Sequence, residues 1–178
     1  MKIILSGVVT PAVCADVSFS EGVYFISGRI GSGKSTLASV ISGLTKPVSG
    51  EIIKEDVCSL IFLMQFPEYQ ITGKTVADEI KSWGADEGCL FGNFENSRDP
   101  FTLSRGELKR LMLSCVFSKN PDVLILDEPF ASLDSDAKEI LCGFIEERKG
   151  ITLVFSHETK YVPASVKLMI KDGVLHYE

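Results

Sequence analysis

Residues 28 to 36 read Gly28-Arg29-Ile30-Gly31-Ser32-Gly33-Lys34-Ser35-Thr36. Gly28 and Gly33, separated by four residues, then a lysine and a hydroxyl, form the G-x-x-x-x-G-K-[ST] spacing that fits a polyphosphate. Gly28, Gly31 and Gly33 let backbone N–H groups wrap anionic oxygens in conformations that a Cβ resists. A helix beginning near Lys34 adds the positive end of its dipole. Lys34 can reach the β- and γ-phosphates, and the Ser35 hydroxyl can ligate Mg²⁺. A glycine turn beside a surface lysine is the bland alternative, and its surroundings argue against it. A strand-like run, Val23 to Ser27, precedes the loop, and Leu37, Val40, Ile41 and Leu44 follow it at the spacing of a helix packed on a sheet. The expected ligand is a nucleoside triphosphate.

A second group of chemically able residues lies about a hundred positions on. Val123-Leu124-Ile125-Leu126 is a buried-strand pattern that ends in Asp127-Glu128-Pro129. Such a strand can deliver Asp127 to the phosphate loop to hold Mg²⁺, directly or through water, and place Glu128 to polarise a water in line with the γ-phosphate. Two acids at a strand end are common in isolation; the loop upstream and Pro129 ending the strand favour the chemical role. Leu103-Ser104-Arg105-Gly106-Glu107 reads locally as a capping box, S-x-x-E, opening a helix with Leu108, Leu111, Met112, Cys115 and Val116 on its apolar side. The same helix start offers Ser104 and the Gly106 backbone to an anion.

These groups need a sheet to position them. Val23 to Ser27, Ser59 to Met64, Val123 to Leu126 and Ile151 to Phe155 are short apolar runs bounded by breakers, as buried parallel strands are. Ligands bind at the carboxyl ends of such strands. One further helix is expected from Ser135, with Ala137, Ile140, Leu141, Phe144 and Ile145 on one face and a stop at Gly150; another runs from Thr75 to Trp83. Gly84 to Asn96 carries no assignable pattern, and Met1 to Ala15 reads as an N-terminal strand rather than a signal peptide.

The 178 residues suit one compact α/β domain, and the net charge of −6 and apolar content exclude disorder. No lysine- or arginine-rich block invites nucleic acid. The five cysteines are scattered, without a C-x-x-C pair, as suits reduced thiols in a cytosolic protein. No apolar run approaches the length of a membrane span.

Taken in order, Gly28–Thr36, Gln65, Leu103–Glu107, Val123–Glu128, Ser132-Leu133-Asp134 and His157 resemble the Walker A, Q-loop, signature, Walker B, D-loop and H-loop motifs of ABC-type ATPases. The stretch Gln65-Phe66-Pro67-Glu68-Tyr69-Gln70, with Thr75-Val76-Ala77-Asp78-Glu79-Ile80 after it, is similar to the ATPase subunits of energy-coupling factor (ECF) transporters, importers of vitamins or transition metals. The resemblance implies an α/β fold of P-loop NTPase (RecA-like) type: a parallel-sheet core with an N-terminal β-rich part and a short inserted helical subdomain. Residues 1–178 would form a single ABC ATPase domain, with its core in 1–65 and 117–178 and the insert at about 66–116.

It also implies a head-to-tail dimer, with the same chain or a related one, that holds two ATP molecules with Mg²⁺. Ser104 and Gly106 would touch the γ-phosphate bound by the other subunit, and Asp134 would help to align that opposing site. Gln65 would contact Mg²⁺ and the attacking water while sensing an integral-membrane partner, and His157 would contact the γ-phosphate. Phe66, Tyr69 and Trp83 become candidate contacts with that partner, on the cytoplasmic face of a membrane. Arg105 and Glu107 depart from the usual L-S-G-G-Q signature, and no aromatic residue occurs between Met1 and Ala15 to stack on adenine. ABC-type ATPases of DNA repair or translation are the rival class, but they need coiled coils or basic surfaces. A small-molecule kinase would have no use for the signature.

Overall fold

The computed structural model describes residues 1–85, 91–158, 160–161 and 166–178. Strands β1 (Lys2–Val9), β2 (Cys14–Phe19) and β3 (Gly22–Gly28) lead into helix α1 (Lys34–Ser42). Strands β4 (Ser49–Glu55) and β5 (Leu60–Leu63) follow, then helices α2 (Val76–Ser82) and α3 (Arg105–Ser118). Strand β6 (Val123–Asp127), helix α4 (Ser135–Glu147) and strands β7 (Ile151–Phe155), β8 (Val166–Lys171) and β9 (Val174–Tyr177) come next, and two short 3-10 turns, Pro67–Gln70 and Pro100–Thr102, flank α2.

All nine strands share one sheet in the order β4-β1-β2-β9-β8-β3-β7-β6-β5. Strands β3, β7, β6 and β5 run parallel, whereas β1 pairs antiparallel with both β2 and β4. The period of two along a strand divides the core between the two faces of the sheet. Val123 and Ile125 of β6 pack with Leu37, Val40 and Ile41 of α1 on one face. Leu124 and Leu126 pack with Met112 and Val116 of α3 and Leu141 and Ile145 of α4 on the other. The parallel strands expected from sequence are therefore present, with helices on both faces. A small satellite core joins Val76 and Ile80 of α2 to Leu108, Leu111 and Cys115 of α3.

Several expectations are corrected. Residues 1 to 15 hold two strands rather than one; the Thr10 hydroxyl forms the turn, accepting from Val13 N at 2.8 Å and donating to Val13 O at 3.1 Å. Leu44 lies outside α1 and is exposed, because Gly43 ends the helix in the left-handed region at φ +89°. Helix α4 stops at Glu147, and Gly150 instead opens the β7 side, where a Cβ would lie 2.5 Å from Asp122 O. Ile140 faces solvent while Ala137, Leu141 and Ile145 are buried. Of the unassigned stretch 84–96, residues 86–90 lie outside the described residues.

Candidate functional site

Strand β3 runs out at Gly28 and the chain turns through the glycine-rich loop into α1. The three glycines are needed for different reasons. Gly31 and Gly33 sit in the left-handed region at φ +80° and +96°, and a Cβ on Gly33 would also strike Val13 and Ala12. Gly28 is still strand, and there the difficulty is space: its Cβ would meet Ser32 Oγ at 2.5 Å. The Lys34 ammonium folds back over the loop, donating to Gly28 O at 2.9 Å and Arg29 O at 3.2 Å, and is only 6% exposed.

The β6 strand delivers its two acids to this loop in different ways. Asp127 is 2% exposed, and its Oδ1 has no hydrogen-bond partner. Burial pushes its carboxyl upward; a hydrogen bond with Ser35 opposes that shift, and the Glu128 charge adds to it. Glu128 departs from strand geometry into the left-handed region at φ +45°, while its N–H still bonds Phe155 O at 2.8 Å. Its Oε1 lies 3.6 Å from Lys34 Nζ. Its Oε2 accepts from Ser156 Oγ at 2.9 Å and lies 2.9 Å from His157 Nδ1. Because a carboxylate only accepts, this pairing puts the imidazole proton on Nδ1.

One cavity is lined by Gly31, Gly33, Lys34, Ser35, Thr36, Gln65, Glu128 and His157, together with Ala12, Ile30 and Ala131. The expected phosphate-binding, water-orienting and γ-phosphate residues are thus brought together. Asp127 lies beneath Ser35 rather than on the cavity surface, and Gly28, Arg29 and Ser32 line an adjoining recess with Ile30, Gly31 and His157. Ser104, Gly106 and Asp134 line neither.

Those three are otherwise engaged. Ser104 and Glu107 form the full capping box of α3: Glu107 Oε2 accepts from Ser104 N at 2.8 Å and Ser104 Oγ accepts from Glu107 N at 3.3 Å. This leaves the Ser104 hydroxyl proton available to an acceptor. Asp134 caps α4 by accepting from Ala137 N at 2.8 Å. Gly106 approaches the following loop so closely that a Cβ would lie 2.7 Å from Ser132 O.

The candidate membrane contacts divide. Phe66 and Tyr69 stand out from the surface at 50% and 79% exposure, their rings edge to face. Trp83 does not join them: its Nε1 donates to Glu79 Oε1 at 2.8 Å, and its ring packs on the cores beneath α2 and α3. Glu79, fully buried, also accepts from Thr72 N and Gly73 N, so Trp83 belongs to an internal brace.

Sequence reading overlooked Lys109. It occupies the buried side of α3, one turn past Gly106, and donates to Gln65 O at 3.0 Å. Burial pulls its pKa down to about 8, against the upward pull of Asp127, Glu68 and Glu128. The signal was present in the periodicity: position 109 shares a helix face with Met112 and Val116, where a lysine is out of place.

The family model described as ABC transporter matches residues 16–131. A Pyrococcus horikoshii protein provisionally named an ABC transporter ATP-binding protein is 31% identical over 90% of this chain and 74% of its own. The energy-coupling factor transporter ATP-binding protein EcfA2 of Thermotoga maritima is 31% identical over 77% of this chain and 62% of its own length. Among solved structures, a dimeric ATP-binding cassette in a post-hydrolysis state with ADP and Pi superposes with a TM-score of 0.82 at 20% identity, covering 99% of this chain and 97% of that one. CbiO1 of Clostridium perfringens, part of the transporter complex CbiONQ, gives 0.74 at 22% identity over 98% and 86%.

Proposed function

The chain belongs to the ABC transporter family of ATP-binding proteins and is an ATPase, and from that membership we propose that it powers an ECF-like importer of a vitamin or transition metal ion. The observation that carries this reading is a division within the molecule. Lys34, Gln65, Glu128 and His157 converge on one cavity, while Ser104 and Gly106 stand outside it. A triphosphate seated on the loop would therefore be contacted on its open side by the signature residues of a second subunit. Binding two nucleotides closes such a dimer, and hydrolysis removes the γ-phosphate that bridges Lys34 of one chain and Ser104 of the other.

The residues have separable tasks. Gly28 to Thr36 hold the phosphates by backbone N–H groups and the helix start. Once Lys34 turns toward phosphate, Glu128 Oε1 is free to accept from a water, while Ser156 and His157 hold Oε2 in place. With its proton on Nδ1, His157 presents a bare Nε2 to the cavity, so its contact with the γ-phosphate calls for the imidazolium or a change of tautomer.

The partnerless Asp127 Oδ1 beside the Ser35 hydroxyl is a hard-oxygen pair of the kind Mg²⁺ takes, with Gln65 on the same cavity. Mg²⁺ held by these residues would neutralise negative charge on the triphosphate. Asp134 lies at the start of α4, where its backbone can align the opposing site while its carboxylate caps the helix.

None of the helices among the described residues is long and apolar enough to cross a membrane. The reading therefore places the chain peripherally on the cytoplasmic face, docked on integral-membrane subunits through the exposed Phe66 and Tyr69. The two-part test is scattering of Glu128→Gln with and without ATP, and identification of the membrane proteins that co-purify with the chain. Dimerisation on adding ATP, with a related ATPase supplied as mate where needed, and recovery of transporter subunits are expected. A chain that stays monomeric under all those conditions, or that brings down only nucleic acid or ribosomes, refutes it.

A further inference from the structure

Residues 64 and 65 leave the sheet, since β5 ends at Leu63. Two side chains hold them. Gln70 accepts from Met64 N at 2.8 Å and donates to Phe62 O at 2.7 Å. From the opposite side, Lys109 reaches across from α3 to Gln65 O.

A lysine 3% exposed on an otherwise apolar helix face is costly unless its charge is compensated. Its ammonium is compensated by the Gln65 carbonyl and by the acids that surround it, Asp127 and Glu128 of the β6 end and Glu68 of the turn after Gln65. The same helix turn is pressed against the loop that follows those acids, at the Gly106–Ser132 approach. Ser132 is itself in the left-handed region at φ +67°, a conformation that few non-glycine residues adopt. Gln65, Arg105, Lys109, Ala131 and Ser132 line one recess between these parts.

We propose that Lys109 is a positioning residue: it clamps the backbone of Gln65 to the signature helix and so fixes where the Gln65 side chain enters the phosphate cavity. The proposal rests on the reading of Gln65 as a nucleotide-sensing residue. Any shift of α3 caused by a second subunit's nucleotide at Ser104 then moves Gln65 through Lys109 and the 129–133 loop through Gly106. The signature helix becomes a lever with two arms, both ending at the residues that face the γ-phosphate.

The test compares wild type, Lys109→Met and Lys109→Arg in steady-state ATP hydrolysis, equilibrium nucleotide binding, thermal melting and amide hydrogen exchange. Lys109→Met, which leaves the Gln65 carbonyl without that donor, is expected to melt lower than wild type yet stay folded at the assay temperature and bind nucleotide within about threefold. Its kcat should fall roughly 10- to 100-fold, the scale of a misplaced catalytic group. Lys109→Arg, which still donates to the carbonyl, should recover most of the rate. Exchange at the 64–68 amides should rise in the Met variant and not in the Arg variant, with α4 unchanged. A Met variant with wild-type kcat, an Arg variant as slow as Met, or unaltered exchange at 64–68 overturns the clamp. A wild-type chain that stays inactive even with a related ATPase supplied as mate, while its 64–68 amides still loosen in the Met variant, would keep the clamp and instead refute the proposed transporter function.

Discussion

Replacing Glu128 by glutamine removes one charge and almost nothing else, so its consequences can be worked out contact by contact. The glutamine carbonyl can still accept from Ser156 Oγ and His157 Nδ1, the two groups 2.9 Å from Oε2. Its amide NH₂ then lies where Oε1 faced Lys34 at 3.6 Å, and a donor replaces an acceptor. Lys34 keeps its bonds to Gly28 O and Arg29 O, so the free protein loses one arm of a buried pair rather than all compensation. That loss is worth about 1–3 kcal/mol, or a fall in Tm of roughly 2–12 °C at about 2–4 °C per kcal/mol. A bound triphosphate supplies Lys34 with a new anion, so nucleotide should restore much of the difference. The backbone adds nothing, since both side chains share the strain of φ +45°.

Hydrolysis behaves differently. A positioned general base contributes about 10²- to 10⁴-fold, which is about 2.7–5.4 kcal/mol of barrier. Phosphate release by Glu128→Gln should drop by that factor while nucleotide affinity stays within about threefold of wild type, as a role confined to the transition state requires. Coupled phosphate-release and calorimetric titration measure the two independently. Turnover within threefold of wild type would remove Glu128 from the chemistry. Loss of binding in step with turnover would show that its pairing with Lys34 builds the ground state instead.

Glycine replacements separate close approach from helix propensity. Gly106→Ala, which must displace Ser132 O, should lower ATPase activity at least tenfold, the scale of a 1 Å misplacement being about 10²-fold. Gly143→Ala meets nothing within 4 Å in the middle of α4 and should raise stability by about 0.5–1 kcal/mol. The Asp122 carboxylate accepts from Cys58 N at 2.7 Å and Ser59 N at 2.9 Å, and those bonds hold its pKa below the ordinary value of 3.8. Its contribution is complete above that unfolded value and vanishes as pH falls through the lower folded one. The Tm gap between wild type and Asp122→Ala should therefore be constant above about pH 5 and close in stronger acid. Trp83→Phe orphans one oxygen of buried Glu79 and should cost about 1–3 kcal/mol in urea unfolding, whereas Tyr69→Ala should leave stability unchanged and weaken membrane-partner recovery.

What the sequence made legible was local or strictly periodic. The phosphate loop, the Ser104–Glu107 box and the Asp127-Glu128 pair each declare themselves within a few residues. Strands β3, β6 and β7 are apolar on both faces because helices cover both. Strand β4 escaped notice because it is an edge whose side chains are almost all exposed, so selection for alternation is weak there. Strands β1 and β2 were merged because the turn between them rests on a threonine hydroxyl and needs no glycine. Trp83 was misplaced because an aromatic near Phe66 and Tyr69 looks like part of a patch, and only the packing of α2 shows that its indole is committed to Glu79.

The adjacency of Asp127 and Glu128 poses a geometric problem that explains the strain between them. Side chains that follow one another along a strand point to opposite faces, so two neighbouring acids on β6 could not both serve one phosphate. Asp127 obeys the strand, buried beneath Ser35. Glu128 escapes it through φ +45°, a conformation that costs a non-glycine residue of order 1–3 kcal/mol. Glycine would adopt it freely but carries no carboxylate. The bonds from Glu128 N to Phe155 O, and from Ser156 and His157 to Oε2, therefore act in concert: the end of β7 holds the backbone, and the two residues after it hold the side chain, of a residue that would otherwise relax away from the cavity. The β6–β7 pairing thus bears directly on hydrolysis as well as on stability, since the register that aligns Asp127 with Phe155 also sets His157 beside Glu128.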